Sequence, residues 1–243
     1  MASANPIHTA GRSGTSVRHS KEDALTDTEF EKLLEGARQM NMDYYYEPDP
    51  LFTIMVLGRL GLRRGELAHL KEEWIDWREK MIHIPSHESC AKGKGGDVCG
   101  YCKQLAKQRA SYDGNGLTYD EAIEWMWVPK TEAAARSIYF GFDPRLEMYI
   151  KRYFESDEYT RYEAGSTAIN RRVKKAAKLA PDLTPENLSP HKLRATAATY
   201  HASRGLKMLS LMQMMGWCQP STAKVYIGRN GDNTKRQLDT IHS

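Results

Sequence analysis

From Asp143 almost to its C-terminus the chain carries apolar residues at helical spacing, and that run constrains the fold more than any other feature. It predicts helices near 145–155, 166–179, 190–203, 207–215 and 220–228, interrupted between Pro181 and Pro190. Upstream, Thr26-Asp27-Thr28-Glu29 forms a capping box ahead of Phe30, Leu33, Leu34, Ala37 and Met40, which predicts a first amphipathic helix. Pro50 is placed to open a second, running through Leu51, Ile54, Met55 and Leu57 and stopping near Gly58 to Gly61. Between these blocks lie four short stretches rich in strand formers, at 74–77, 81–85, 124–128 and 136–142, which predict a small antiparallel sheet. The expected class is α+β, mainly α. No internal repeat is present.

With 243 residues and 40% hydrophobic content the chain can bury a real core, as one large domain or two small ones. Lys and Arg exceed the acidic residues by four, and the pI is about 8.7, so a polyanionic partner is permitted but not demanded. No apolar run approaches the roughly 18 residues of a membrane span, and the N-terminus lacks the apolar core of a signal peptide. The expectation is an intracellular, cytoplasmic protein without membrane contact. Residues 1–21 are small, polar and basic without apolar periodicity and are expected to form a flexible arm.

Three segments carry chemistry. Gly61-Leu62-Arg63-Arg64-Gly65-Glu66-Leu67 places a cation at a helix junction, with Glu66 a turn later to orient it. His191 and Arg194, three apart after a Ser189-Pro190 helix start, share one helix face. The third runs from Met215-Gly216-Trp217-Cys218 to Tyr226. A phosphodiester under attack gathers charge on its equatorial oxygens, and the planar, permanently charged fork of arginine suits that charge, which makes Arg63 and Arg194 candidates. Each segment alone also has a plain reading: a surface ion pair at Arg63 and Glu66, a capping histidine with a solvated arginine, an aromatic on a terminal helix.

In order and spacing these segments resemble the signature of the tyrosine recombinase (phage integrase) family over about residues 22–230. The resemblance implies a helical catalytic domain with a small sheet, which breaks and rejoins DNA through a 3′-phosphotyrosine. It implies that Arg63 and Arg194 clamp the phosphate, that His191 exchanges protons with the nucleophile, and that Tyr226 attacks. Trp217 stands where many members have His; its indole N–H can donate to a phosphate oxygen but cannot shuttle a proton. A further lysine, carried in the family on a β-hairpin, protonates the departing oxygen; Lys130 fits best, with Lys92 and Lys94 as competitors. The family also implies double-stranded DNA attachment sites as partner, four subunits on synapsed DNA, and origin in a virus, plasmid or other mobile element. A type IB topoisomerase-like enzyme and a non-catalytic, zinc-stabilised DNA-binding regulator on the same scaffold are the alternative readings.

The chain departs from that pattern at residues 86–123, where His87, Cys90, Cys99 and Cys102 offer one imidazole and three thiolates, the ligand set of a structural zinc in a knuckle-like insertion. His83 is an alternative to His87. Tyrosine-mediated transesterification itself requires no metal or other cofactor. The basic segment from Asn170 to Lys178 offers phosphate contacts through Arg172 and Lys175, or a solvated surface. Residues 231–243 form a short polar tail of the kind that packs on a neighbouring subunit in the family.

Overall fold

The computed structural model describes residues 24–43, 49–112, 116–129, 131–155 and 159–227, with 235, 238–240 and 242. The arm at 1–21 lies outside the described residues, as does most of the tail. Helix α1 spans Asp27–Asp43, entered through the capping box in which Glu29 accepts from the Thr26 backbone at 2.8 Å. Asp49 caps α2, Pro50–Met55, which widens into a π-helical turn at Val56–Leu60. Arg64–Ala68 forms α3. Two strands follow, β1 at Ile75–Asp76 and β2 at Met81–Ile84, then α4 at Gly100–Ala110 and α5 at Tyr119–Glu124. Strand β3 at Arg136–Tyr139 precedes five helices: α6 Pro144–Phe154, α7 Ser166–Leu179, α8 Pro190–Ser203, α9 Met208–Met215 and α10 Pro220–Lys224.

The expected mainly helical α+β class is what the chain adopts. Helices α1, α2, α6 and α7 enclose the core, where Phe30, Leu33, Phe52, Ile54, Ile150 and Val173 are wholly buried. Each such side chain contributes roughly 1.5–3 kcal/mol through removal from water. Helices α1 and α7 approach so closely that a Cβ on Gly36 would lie 2.1 Å from the Ala176 carbonyl oxygen. The sheet has the order β1-β2-β3, antiparallel throughout, with Ile82 opposite Ile138 and Ile84 opposite Arg136. Helices α8 and α9, with Tyr226 just beyond α10, form a second apolar cluster of Ala195, Ala198, Ala202, Leu211, Met215 and Tyr226.

Two expectations need correction. The stretch 124–128 is not a strand: α5 ends at Glu124 and the chain continues irregularly, tied to the segment at 88–90 by hydrogen bonds between Cys90 and Met126 and between Glu88 and Trp127. Its apolar residues reflect burial of Met126 and Trp127, not sheet alternation. In α7, Arg172 is buried on the core side of the helix, so it is not available to a phosphate, whereas Arg171, Lys174 and Lys178 are exposed.

Candidate active site and metal site

The π turn ends at Gly61, whose φ of 65° is left-handed and whose Cβ, if present, would press on Met215 at 2.7 Å. That reversal delivers Arg63 to the N-cap of α3 in extended conformation. Arg63 donates from its backbone N–H to Glu66 Oε2 at 2.8 Å and from Nη1 to Oε1 at 2.8 Å, while Nη2 donates to the Gly216 carbonyl at 2.7 Å. The last bond spans 153 residues and ties the first segment to the third.

Glu66 is only 1% exposed. A second arginine, absent from the sequence reading, meets it there: Arg136 Nη1 and Nη2 grip the two carboxylate oxygens at 2.9 and 3.0 Å, and Nε donates to the Met214 carbonyl at 2.7 Å. Burial alone would raise the Glu66 carboxyl, but Arg136 first, then Arg194 and Arg63, hold it down at about 2. Arg136 had a sequence signal: it stands two residues before the apolar Ile138 on one face of a short strand, a position facing the core.

Ser189 caps α8, accepting from the Lys192 N–H at 3.3 Å, and Pro190 occupies the first turn. His191 is exposed at the mouth of the site, and Arg194, one turn further, is buried with its Nη atoms donating to the carbonyls of Gly61 and Met215. Burial pushes its pKa down to about 9, with the Glu66 carboxylate pulling it back up, so the guanidinium stays charged at neutral pH. Gly216, with φ of 59°, closes α9 and presents Trp217, whose ring lies 5.9 Å from Arg194 Cζ.

Arg63, Arg64, Glu66, His191, Arg194 and Trp217 line a cleft of about 1190 Å³. Tyr226 is not among its lining residues. It is stacked behind Trp217, with ring centroids 5.1 Å apart and planes at 19°, and is 6% exposed within the second apolar cluster. Lys130 lies outside the described residues, although its neighbours Pro129 and Thr131 line the cleft. Lys92 is elsewhere, its amine donating to the carbonyls of Ala68, Tyr162 and Ala164, and burial drives its pKa down to about 8. Lys94 is exposed and does not line the cleft.

The cysteines converge, with a different histidine. Cys90, Cys99 and Cys102 place their sulfurs 3.6, 3.6 and 3.2 Å from Nε2 of His69, the residue that ends α3, and the four donor atoms lie within 4.8 Å of one another. This set could hold a metal ion. The other imidazole nitrogen, Nδ1, is 2.8 Å from the Gly65 carbonyl; donating there, it leaves Nε2 as a lone pair aimed at the sulfurs. The thiols disturb one another's protons: Cys102 draws Cys90 downward, and Cys90 pushes Cys102 upward. His87 is not in the cluster; its ring packs at 5.1 Å on Trp125. His83 bonds Ser137 Oγ across the sheet at 2.7 Å. Local spacing favoured His87, but the fold brings His69 from 21 residues before Cys90.

No family model matches this chain, and no curated protein does. Solved structures do. XerA recombinase is similar over the whole chain and 67% of its own length, with a TM-score of 0.53 and 19% identity. The Tn1549 transposon integrase in complex with transposon right end DNA is similar over 90% of this chain and 66% of its own, with a TM-score of 0.56 and 19% identity. The same integrase with circular intermediate DNA gives 0.55 at 20% identity. The chain thus spans about two thirds of the length of these solved chains, and its fold is that of a tyrosine recombinase catalytic domain.

Proposed function

We propose that this chain, whose fold is that of a tyrosine recombinase catalytic domain, is a site-specific DNA recombinase acting through a 3′-phosphotyrosine. The observation that carries the reading is the convergence on one cleft of Arg63, His191, Arg194 and Trp217 from three distant segments, with Tyr226 stacked directly behind Trp217. Glu66 and Arg136 act behind them as positioning residues. The carboxylate and the Gly216 carbonyl fix Arg63, while two main-chain carbonyls fix Arg194, so both cations stand preorganised for the charge of a pentavalent phosphate.

In the proposed reaction the Tyr226 oxygen forms a bond to phosphorus, the bond to the 5′-oxygen breaks, and the phenolic proton passes to His191. Lys130 is the proposed donor of the proton that the departing 5′-oxygen takes up. Phosphoester bond energy is kept, so resealing reverses these steps. A phenol of pKa near 10 is about one part in a thousand ionised at neutral pH, a penalty of roughly 4 kcal/mol that Arg194 and His191 must offset. Tyr226 is 6% exposed, and its phenol acts electrostatically on Arg194, so the proposed nucleophile already stands beside one arginine of the cleft. The reading extends to 22–230 as the catalytic unit, to assembly of four subunits on synapsed DNA, and to an intracellular role on a mobile element.

The ion proposed for the four-donor cluster is zinc, in a structural role. Tetrahedral zinc with bonds of about 2.3 Å to sulfur and 2.05 Å to nitrogen sets N···S separations at about 3.5 Å, and those of His69 are 3.2 to 3.6 Å.

The test is covalent trapping on nicked duplexes carrying candidate attachment sites, wild type against Tyr226→Phe, resolved on a denaturing gel. A DNA-linked band that the substitution abolishes is expected. A band that persists in Tyr226→Phe, or none from folded wild type bound to a verified site, would overturn the assignment.

A further inference from the structure

Helix α4 is attached to the candidate active site in a way that its sequence alone does not disclose. Its first turn carries Cys102, whose sulfur is 3.2 Å from Nε2 of His69 at the end of α3. The preceding residue, Tyr101, covers the other end of α3: a Cβ on Gly65 would lie 3.0 Å from the Tyr101 hydroxyl, so the ring packs closely against the backbone there. Since Arg63 caps α3, the cysteine cluster and the Tyr101 contact fix α4 relative to the phosphate clamp at two points.

The faces of α4 are sharply divided. Cys102 and Ala106 are buried, while Tyr101, Gln104, Leu105, Gln108 and Arg109, with Tyr112 just beyond the helix end, line the same cleft as His191 and Trp217. Those six recur at helical spacing of three and four, the pattern of a surface used by a ligand along its length. Gln104, Gln108 and Arg109 are exposed, Tyr112 is 70% exposed, and neither glutamine amide makes a side-chain hydrogen bond among the described residues. Within α4 stand Lys103, Lys107 and Arg109 and no acidic residue; Lys103 is paired with Asp97 just before the helix at 2.5 Å, and Arg109 lines the cleft. Among the described residues that line the cleft, the one carboxylate, Glu66, is already held by arginines. Such a surface complements a polyanion.

We propose that α4 is the base-reading helix of this protein, lying in the major groove beside the scissile phosphate, with Gln104 and Gln108 contacting base edges and Arg109 and Tyr112 facing the backbone. The inference rests on the DNA reading above and adds to it the element that selects sequence. Eleven helical residues span roughly 16 Å, about five base-pair steps, and a side-chain amide matches the paired donor and acceptor of adenine in that groove. The cluster then serves recognition, because it keeps the reading helix in register with Arg63.

The experiment is selection from a duplex library with about 20 randomised base pairs, using the full chain with its metal, followed by sequencing of the bound pool. Wild type is expected to enrich a motif. Gln104→Ala with Gln108→Ala should flatten preference roughly tenfold or more at two or three adjacent positions, with metal content and the salt dependence of non-specific binding unchanged. Gln108→Arg should exchange adenine for guanine at one of them, a shift that loss of fold cannot produce. An unchanged motif in all variants overturns the role of α4 while leaving the DNA reading intact, and so does binding without any enriched motif. Absence of wild-type binding to any duplex overturns the DNA reading itself.

Discussion

At the scale of single residues the site is organised around an anion. Glu66 holds Arg63 and Arg136 with both oxygens inside a buried pocket, so removing its charge leaves cations packed together without compensation. Its carboxyl titrates at about 2 in the fold against 4.5 for the free group, so the contribution is complete above about pH 4.5 and is lost as pH falls toward 2. The shift corresponds to about 3 kcal/mol. Glu66→Gln should therefore lie about 3 kcal/mol below wild type in denaturant melts at pH 7, and the gap should close between pH 4.5 and 2, where the wild-type side chain becomes neutral. A gap that stays constant down to pH 2 would mean that Glu66 acts through shape and not charge. The resemblance in order and spacing singled out Arg63, Arg194 and His191, and the fold brings the three to one cleft. Arg136 was not singled out, since its partner lies 70 residues away and only its core-facing strand position hinted at it.

Among elements, α3 does most of the joining for its five residues: its cap is Arg63, its middle Glu66, its end His69. The helices were legible because burial on one face imposes a period that sequence carries openly, as in α1, α6 and α7. The segment after α5 was not, because Trp127 is apolar in order to stack on His69, with centroids 5.2 Å apart, and a residue serving a side-chain cluster leaves no periodic trace. His69 was missed for a related reason: a ligand donated by a separate helix has no fixed spacing to the cysteines. Among the ties that hold the insertion to the rest are the four-donor cluster and Lys92, and substitution can separate these two. Cys102→Ser is expected to abolish stoichiometric zinc and to speed amide exchange across residues 88–112 by tenfold or more. Lys92→Met should leave zinc at one per chain and lower stability by about 3 kcal/mol, because three buried carbonyls lose their donor. Metal analysis and exchange mass spectrometry read both; retention of zinc by Cys102→Ser would break the assignment of that thiol.

For the whole molecule, a net charge of +4 spread over 243 residues does not by itself make a DNA-binding protein, so the proposed DNA reading rests on where the charges stand. Arg64, on α3, and Arg109, on α4, both line the cleft that holds Arg63 and Arg194, where a duplex reaching those two would meet them. Arg172, which the linear sequence offers as readily as any other cation, faces the core instead, near the buried Tyr162. Counterion release turns this difference into a number: each phosphate neutralised contributes about 0.9 to the slope of log affinity against log salt. Arg64→Ala with Arg109→Ala should reduce that slope by about 1.8, measured by fluorescence anisotropy on a fixed duplex between 50 and 200 mM salt. Arg172→Ala should leave the slope as it is and lower the melting temperature. If the slope instead responds to Arg172 and ignores the other two, the cleft is not where the DNA backbone runs.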